Sequence, residues 1–414
     1  MMDFNFSKES LELQDKLKTF FADHIYPNEE LYEKAIIDSG DPLHIPEILN
    51  ELKSKAKSEN LWNLFLPDKE YGYGLSNVDY APLAEITGHN WWAPEVFNCS
   101  APDTGNMEIL AEFGTAEQKK QWLEPLLEGE IRSCFAMTEP NVASSDATNI
   151  GSSIVSDGDN YVINGRKWWT SNAINPNAKI CIFMGVTNPD SPPYQRQSQV
   201  LVPMDSEGLS IIRPMQVFGY DDGYTGHPEL LFENVVVPKS NIIGGEGMGF
   251  KIAQARLGPG RIHHCMRAIG MAERALSLMI DRSLERETFG QKLAEQGVIQ
   301  DWIARSRIKI EEARLLTLKT AWLIDTVGKE EAKIEISSIK VSVVEAASYV
   351  IDKAIQTFGA MGLSQDTPLA RMSAGARVLR IADGPDEVHL RSIARREINT
   401  VSYTHLTLPT IPTV

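Results

Sequence analysis

The sequence predicts an α+β protein that is mostly helical and is built from three consecutive blocks. Amphipathic helical patterns fill residues 1–130, short runs rich in β-branched and aromatic residues fill 131–240, and long helical patterns return over 241–400. Because strands and helices do not alternate along the chain, a doubly wound parallel sheet is disfavoured. With 414 residues, the chain is long enough for two or three packed units with sizeable cores.

The composition narrows the kind of protein. The 43% hydrophobic and 23% charged residues are typical of a globular protein, and no apolar run approaches the roughly 20 residues of a membrane span. The first residues lack the basic and apolar segments of a signal peptide. The four cysteines lie far apart, which disfavours a disulfide framework or a zinc site. We therefore expect a cytoplasmic protein without a membrane span or a bound metal ion.

The net charge of −16 disfavours nucleic acid or an anionic membrane surface as a partner. The charge is uneven, since residues 241–400 hold 23 basic and 20 acidic residues, whereas the remainder holds 17 and 36. A phosphate-bearing ligand would therefore find its counter-charges mainly in the C-terminal block.

The helical blocks follow from apolar spacing. Leu13, Leu17 and Phe20 recur at helical intervals, and Pro27 is expected to close this first segment. The glycine-rich stretch 244–249 lacks the spacing and the βαβ context of a dinucleotide-binding loop, so it predicts a turn that enters the first C-terminal helix.

Residues 401–414 carry no formal charge and resemble a translated sequencing adaptor, so we exclude this tail from the fold.

The central block contains short strand-like runs separated by turn sequences. The runs lie at residues 161–163, 179–183, 200–202 and 230–232. Asp157–Asn160 and Asn164–Gly165 predict tight turns, the second of them an Asn-Gly hairpin. The block therefore reads as a small β domain.

Two segments of the β block contain residue types suited to ligand binding. Residues 135–146 lead from an apolar run into a turn rich in hydroxyls, whose N–H and Oγ groups suit a ring edge or a phosphate, although an ordinary polar turn has the same pattern. Residues 164–173 are predicted to form a hairpin and a strand that carries Trp168 and Trp169. Strand alternation sends the two rings to opposite faces, so that one is buried and the other lines the surface or a flat ligand.

Two further segments lie in the C-terminal helical block. His263 and His264 are adjacent on a predicted helix and point about 100° apart, so chelation by the pair is disfavoured and a solvated or capping cluster is the simpler interpretation. Residues 381–389 contain the sequence Asp-Gly-Pro-Asp-Glu. From the residues alone, this sequence favours an ordinary helix start with Asp383 as its N-cap.

Taken in this order, the four segments resemble the acyl-CoA dehydrogenase family over residues 1–400, with further matches at residues 68–75, 286–290 and 356–362. The versions at 168–169, 261–264 and 383–387 are similar to the branch that includes animal long-chain and hydroxyacyl members. The resemblance implies an N-terminal helical domain (1–130), a central β-barrel or sandwich domain (131–240) and a C-terminal four-helix bundle (241–400). It also implies the dehydrogenation of a fatty-acyl-CoA to the trans-2-enoyl-CoA, with FAD as cofactor and an electron-transfer flavoprotein as electron acceptor.

The resemblance implies that FAD lies between the β domain and the C-terminal helices. Thr138 matches the hydroxyl that meets the flavin ring, and Ser145 matches the one near the pyrophosphate, with a contact to the substrate as well. Because this loop is one residue longer than the common pattern, Ser144 could share that role. Trp169 matches the tryptophan beside the flavin, and Ser171 replaces a usual threonine near its N5 edge. The remaining residues matched to the FAD site are Phe135, Met137, Thr170, Pro385, Asp386 and Glu387.

A second group of matches concerns the neighbouring subunit and the substrate. Arg286 and the segment with Gln356, Gly359 and Gly362 match the parts that reach the FAD of another subunit, which implies a homodimer or a homotetramer. A cluster near the acyl-CoA is implied by the matches at Arg261, His263, His264 and Gly384.

Asp383 occupies the position where the family commonly has a catalytic glutamate, and the resemblance therefore implies that it removes the α proton. The alternative base position of some members corresponds to Gly260, which has no acid. Aspartate is one methylene shorter than glutamate, or about 1.5 Å of reach. Two other functions stay open: a flavin oxidase of the same fold, similar to nitroalkane oxidases, and a non-catalytic homologue that binds acyl-CoA or flavin.

Overall fold

The computed structural model describes residues 5–406, and the chain divides into two compact units. The first unit comprises residues 6–260, and the second begins at Arg261. The division into three domains at residues 130 and 240 stays a prediction. The last residues of the proposed adaptor tail, 407–414, lie outside the described part, and the origin of the tail also stays a prediction.

The first unit begins with helices that alternate with short connections. They are α1 (Lys8–Phe20), α2 (Glu29–Ser39), α3 (Glu47–Ser58), α4 (Asn77–Thr87), α5 (Ala93–Val96), α6 (Asp103–Phe113), α7 (Ala116–Gln118) and α8 (Glu124–Glu128). Ser7 caps α1 by accepting a hydrogen bond from the N–H of Ser10. The expectation that Pro27 closes the helical segment is wrong. Pro27 lies in a 3₁₀ turn that leads directly into α2, a position where its missing N–H costs nothing.

The strands of the first unit form one curled sheet. They are β1 (Arg132–Ala136), β2 (Ser153–Asp157), β3 (Asn160–Lys167), β4 (Ala178–Val186), β5 (Gln197–Pro203), β6 (Leu209–Met215) and β7 (His227–Pro238). Their order is β1-β4-β2-β3-β7-β6, and β5 pairs with β4. β1 runs parallel to β4, while β3 is antiparallel to β2 and β7. Buried side chains such as Ile154, Phe183 and Phe232 share one core, around which the sheet curls.

The sheet contains each predicted strand-like run, but one turn differs. Asn164 and Gly165 do not form a hairpin; they lie inside β3, where the pairing with β7 shifts register. A Cβ on Gly165 would lie 2.1 Å from Oγ of Ser152, so the close approach of Ser152 is what requires glycine here. The hairpin between β2 and β3 forms at the other predicted turn, around Gly158, whose φ is +55°.

Long helices form the second unit. α9 (Gly249–Glu285) enters it, and a small hairpin of β8 (Glu287–Thr288) and β9 (Gln291–Lys292) follows. The chain continues with α10 (Gly297–Val327), α11 (Lys333–Phe358), α12 (Leu369–Leu379) and α13 (Asp386–Leu406). α11 packs against α10, α12 and α13, and Glu273 of α9 forms an ion pair with Arg307 of α10. The predicted turn before the first C-terminal helix is confirmed, because residues 244–248 precede α9 without helical structure.

Among residues 5–406, no helix combines the length and the apolar character that a membrane span requires.

Candidate active site

The segment that follows β1 is anchored by the side chain of Glu139. Its two carboxylate oxygens accept hydrogen bonds from the N–H of Gly151 at 2.8 Å and from the N–H of Ser152 at 3.0 Å. Oγ of Ser144 accepts a third, from the N–H of Glu139 itself, at 2.9 Å. The predicted FAD residues Thr138, Ser144 and Ser145 therefore lie in a segment whose two ends are tied together. Ser144 is engaged inside this segment, whereas Ser145 is exposed.

Lys167, at the end of β3, supports the same segment from within the sheet. Its buried Nζ donates to the carbonyl oxygens of Met137 at 2.9 Å and Met184 at 2.7 Å, and to Oε1 of Glu139 at 2.7 Å. Burial lowers the pKa of Lys167 to about 8, against the opposing effect of Glu139. In Glu139, burial would raise the pKa, but the charge of Lys167 and the hydrogen bonds from Lys167, Ser152 and Gly151 together lower the carboxyl pKa. The pair is therefore ionised near neutral pH.

The predicted site residues do not include Lys167, although the sequence of β3 contains a signal for it. Period-two alternation places residue 167 on the same strand face as Tyr161 and Ile163, which are buried. A lysine at an inward-facing position is almost never buried without a partner. It therefore points to an acidic residue nearby, which the structure identifies as Glu139.

Trp168 and Trp169 lie just beyond β3, so the prediction of a strand that carries both rings is wrong. Trp169 adopts a left-handed backbone conformation with φ of +54°, and 38% of the residue is exposed. The two rings meet edge to face, with centroids 6.5 Å apart. The N–H of Trp168 donates to the carbonyl oxygen of Thr138 at 3.0 Å, which joins the two predicted FAD-binding segments.

Two buried polar atoms in this place lack a protein partner. Nε1 of Trp168 and Oγ1 of Thr170 make no hydrogen bond to any residue that the structure describes. Buried polar groups without a partner are rare in folded proteins, so a ligand or an ordered water is expected to satisfy them. The exposed Trp169 ring beside them suits stacking against a flat group. The residues after β1 and β3 thus fit a bound flavin cofactor.

A hydrogen-bonded chain continues from Ser171. Its Oγ lies 2.8 Å from Nδ1 of His227, and Nε2 of His227 lies 3.0 Å from Oδ2 of Asp222. The imidazole of His227 also packs near Trp169, with ring centroids 6.0 Å apart. The hydroxyl of Ser171 is therefore oriented by a histidine and an aspartate that sequence analysis did not connect with it.

In the second unit, Asp383 lies in a tight turn that we define as the Asp383 turn (residues 380–386). Its backbone is left-handed, with φ of +56°, and its Oδ2 lies 3.2 Å from Nε2 of His264 on α9. α13 begins three residues later, at Asp386, so Asp383 is not the N-cap that its local sequence favours.

Side chains from two other helices hold the main chain of the Asp383 turn. Nε of Arg261 donates a hydrogen bond to the carbonyl oxygen of Asp383, and Nζ of Lys340 donates one to the carbonyl oxygen of Ala382. Both donor–acceptor distances are 3.0 Å. Within the turn, Nε of Arg380 donates a hydrogen bond to Oδ2 of Asp386 at 2.6 Å. Burial lowers the pKa of Lys340, yet its position toward two carbonyl oxygens suits the protonated amine.

The other predicted substrate residues surround the same turn. His263 is 2% exposed, and burial lowers its pKa to about 3. Gly384 has φ of +105°, and a Cβ there would lie 2.9 Å from Nε2 of His389. Arg261 and His264 are both engaged by Asp383. A contact of Arg261, His263, His264 or Gly384 with the acyl-CoA stays a prediction.

The residues matched to a neighbouring subunit lie elsewhere in the second unit. Arg286 directly follows α9 and is exposed, while Gln356 lies near the end of α11 and is also exposed. The guanidinium of Arg282 lies 5.4 Å from the ring centroid of Phe358, so the C-terminal ends of α9 and α11 are adjacent. At a rise of 1.5 Å per residue, Arg286 lies roughly 33 Å along α9 from His264. The structure therefore brings Arg286 close to the 356–362 segment and separates both from Asp383.

Comparison with known proteins assigns the chain to a family. The N-terminal, middle and C-terminal domain models of acyl-CoA dehydrogenase match residues 7–130, 134–235 and 247–398. These matches cover most of the chain, which belongs to the acyl-CoA dehydrogenase family. The membership confirms the predicted fold, the predicted class of oxidoreductase acting on CH–CH groups, and FAD as the cofactor.

Individual relatives agree with this assignment. The chain is 54% identical to acyl-CoA dehydrogenase family member 10 of Mus musculus over 97% of its own length, but it spans 38% of that protein. It is 55% identical to FadE2 of Mycobacterium tuberculosis, assigned as an acyl-CoA dehydrogenase, over 96% of this chain and 97% of the other. A solved structure from Mycobacterium abscessus, assigned to the same enzymes, shares 48% identity with a TM-score of 0.93 over 96% of this chain and 100% of that one. The predicted similarity to a branch with animal members is confirmed.

Proposed function

We propose that this chain removes hydrogens from the α and β carbons of a fatty-acyl-CoA and yields the trans-2-enoyl-CoA, with Asp383 as the base. The observation that carries the proposal is the placement of Asp383. Its carboxylate does not cap α13, and its main-chain carbonyl oxygen accepts a hydrogen bond from Arg261. Family membership supports the reaction class.

The surroundings of Asp383 suit a base. Arg261 and Lys340 bring positive charge to the Asp383 turn, which favours the ionised carboxylate before substrate arrives. An acyl chain that covers the carboxylate would then raise its pKa toward the working pH. As the α proton moves to Asp383, the electron pair of the C–H bond stays on the substrate as an enolate. The main-chain N–H beside Asp383 is proposed to stabilise the negative charge on the thioester oxygen.

FAD supplies the acceptor for the hydride that leaves the β carbon. We assign its binding to Thr138, Ser145, Trp169 and Thr170, with Ser171 at the N5 edge. The buried Oγ1 of Thr170 and the exposed ring of Trp169 support this assignment. The engagement of Ser144 with the N–H of Glu139 favours Ser145 as the hydroxyl near the pyrophosphate. Phe135, Met137, Pro385, Asp386 and Glu387 are assigned to the same cofactor from the resemblance.

We further propose that the protein works as a homodimer or homotetramer and passes electrons to an electron-transfer flavoprotein. The separation of roughly 33 Å along α9 between His264 and Arg286 supports the oligomer. It puts Arg286 too far from the Asp383 turn to serve a cofactor there in the same chain. Arg286, Gln356, Gly359 and Gly362 would instead reach the FAD of a second subunit.

The reaction is tested by anaerobic bleaching of the bound flavin with a panel of acyl-CoAs of different chain length. We expect bleaching by the wild type and its loss in Asp383→Asn, which retains FAD and acyl-CoA binding. Asp366→Asn, at an exposed position of the same unit, is the matched control and should bleach normally. Full activity of Asp383→Asn would refute the base assignment. Rapid reoxidation by oxygen without any response to acyl-CoA would instead favour the flavin oxidase.

A further inference from the structure

The Asp383 turn contains a second feature, which deepens the proposed function and rests on Asp383 as the base. We propose that His264 is a positioning residue for Asp383. It is a neutral imidazole that carries its proton on Nε2 and donates it in a hydrogen bond to the ionised carboxylate. The function of this bond is to keep Asp383 charged and correctly oriented at a lower pH than an unsupported carboxylate would allow.

The proton position on His264 follows from its two neighbours. An NH2 group of Arg267 lies 3.1 Å from Nδ1 of His264, and Oδ2 of Asp383 lies 3.2 Å from Nε2. A guanidinium is always protonated and can only donate, so Nδ1 must accept. The imidazole then carries its single proton on Nε2, which points at the acceptor Asp383. Arg267 thus selects the tautomer that Asp383 needs.

The local charges keep this imidazole neutral. Burial lowers the pKa of His264, and the positive charges of Arg267 and Lys340 act in the same direction, while Asp383 opposes them. The titratable and charged groups that face His264 and Asp383 come from three helices: Arg261, His263, Cys265 and Arg267 on α9, Lys340 on α11, and Asp386 and His389 on α13. A cationic imidazole would add electrostatic repulsion against these basic side chains.

The bond from Nε2 acts on the base in a definite direction. A hydrogen bond to the charged form of an acid favours that form and lowers its pKa. When Asp383 takes the α proton, the C–H electron pair passes to the thioester as an enolate and the bond from His264 weakens. Removing the donor should therefore raise the pH at which Asp383 begins to take the proton. It should also loosen the orientation of the carboxylate.

The test uses 3-thiaacyl-CoAs, whose α carbon can lose a proton while the sulfur at the β position has no hydride to give. The enolate beside oxidised flavin is read as a long-wavelength absorbance band, titrated against pH. In His264→Leu we expect the midpoint to rise by about one pH unit. In His264→Gln, whose amide N–H can replace Nε2–H, we expect most of that shift to disappear. His44→Leu, which makes the same change in the first unit, should leave the midpoint unchanged.

The outcomes separate the two levels of the proposal. An unchanged midpoint in His264→Leu, with normal binding of the analogue, would reduce His264 to a packing residue and overturn the inference. Band formation in Asp383→Asn equal to the wild type would overturn the base assignment itself. An equal rise of the pH midpoint in His264→Leu and His264→Gln would show that the side chain acts through its shape rather than through its N–H donor. This result would also overturn the inference.

A spectroscopic measurement tests the tautomer without any turnover. In the FAD-bound protein labelled with ¹⁵N-histidine, the Nδ1 signal of His264 should have the shift of a non-protonated ring nitrogen between pH 6 and pH 9. Assignment comes from loss of the signal in His264→Gln. In Arg267→Leu the tautomer preference should weaken, and Nδ1 should gain protonated character. A protonated Nδ1 in the wild type would contradict the proposal even if no acyl-CoA analogue is bound.

Discussion

Arg261 forms its hydrogen bond with the main chain of Asp383 rather than with its carboxylate: Nε of Arg261 donates to the carbonyl oxygen of Asp383 at 3.0 Å. Nζ of Lys340 likewise donates a hydrogen bond to the preceding carbonyl oxygen, that of Ala382. Asp383, which we propose as the base, is one methylene shorter than the usual glutamate, so its reach depends more strongly on where its main chain lies. These two bonds are therefore the means by which the helices set the reach of Asp383.

The first prediction concerns this main-chain bond. Arg261→Leu should retain FAD but lower the rate of flavin bleaching by acyl-CoA about tenfold to hundredfold, because small misplacements of a reacting group cost this much. Rapid-mixing absorbance measures the rate, and thermal unfolding checks that the fold survives. Arg305→Leu removes the same charge from an exposed i,i+4 pair with Asp301 and should have little effect. An unaltered bleaching rate in Arg261→Leu would show that the bond is dispensable.

The second prediction uses two glycines with nearly the same backbone. Gly384 has φ of +105° and Gly245 has φ of +107°, but a Cβ would meet His389 at 2.9 Å in the first and nothing within 4 Å in the second. Gly245→Ala should cost about 1–3 kcal/mol of unfolding free energy through backbone strain alone. Gly384→Ala should cost more and should also slow bleaching, because the clash displaces the Asp383 turn. Denaturant unfolding and bleaching rates compare the two; equal losses in both variants would argue against the clash.

The third prediction concerns the buried pair of Lys167 and Glu139, which anchors the segment that follows β1. Lys167→Met leaves Glu139 buried without its cation, which should lower the unfolding free energy by about 3–5 kcal/mol and reduce the FAD content of the purified protein. The double variant Lys167→Met/Glu139→Gln should recover part of the loss, since no unpaired charge remains. Lys8→Met, from the exposed pair with Glu12, is the matched control and should cost less than about 1 kcal/mol. No recovery in the double variant would show that the carbonyl bonds, not the charge, matter.

The fourth prediction concerns acid stability. Glu95 binds Lys53 at 2.6 Å and Arg132 at 2.9 Å. Burial would raise its pKa, but these two cations outweigh burial and lower it from 4.5 to about 2. A carboxyl whose folded pKa is depressed contributes stability that is complete above the unfolded value and is lost as pH falls through the folded one.

The measurement compares the wild type with Glu95→Gln. At neutral pH the variant should be less stable by about 3–5 kcal/mol, because Lys53 loses the carboxylate it binds and the buried Arg132 keeps only Asp103 as an anion. The difference should shrink as the pH falls from 4.5 toward about 2, where the wild-type carboxyl is also neutral. Urea unfolding at several pH values gives the curve, and Glu59→Gln, from a more exposed pair with Lys55, should show no such trend. A difference that stays constant with pH would exclude the ionised Glu95 as its source.

The sequence by itself determined the order of helical and β blocks and the segments that are proposed to carry the chemistry. Hydrophobic periodicity is a local property, so the strand runs at 161–163, 179–183, 200–202 and 230–232 were correctly predicted. The family motifs are also continuous in sequence. They identified Thr138, Trp169 and Asp383 as candidates, and their assigned roles stay predictions.

Only the tertiary structure decided what these residues contact. The local sequence at Asp383 favours a helix cap, yet its neighbours are Arg261 and His264, and Arg261 lies 122 positions earlier in the chain. Asn164–Gly165 has the composition of a hairpin but forms a register shift inside β3, because Ser152 approaches too closely for any side chain. Lys167 is buried because Glu139 and two carbonyl oxygens converge on it from separate strands and loops. Such contacts join residues that are distant in sequence, so only packing of the whole chain can bring them together.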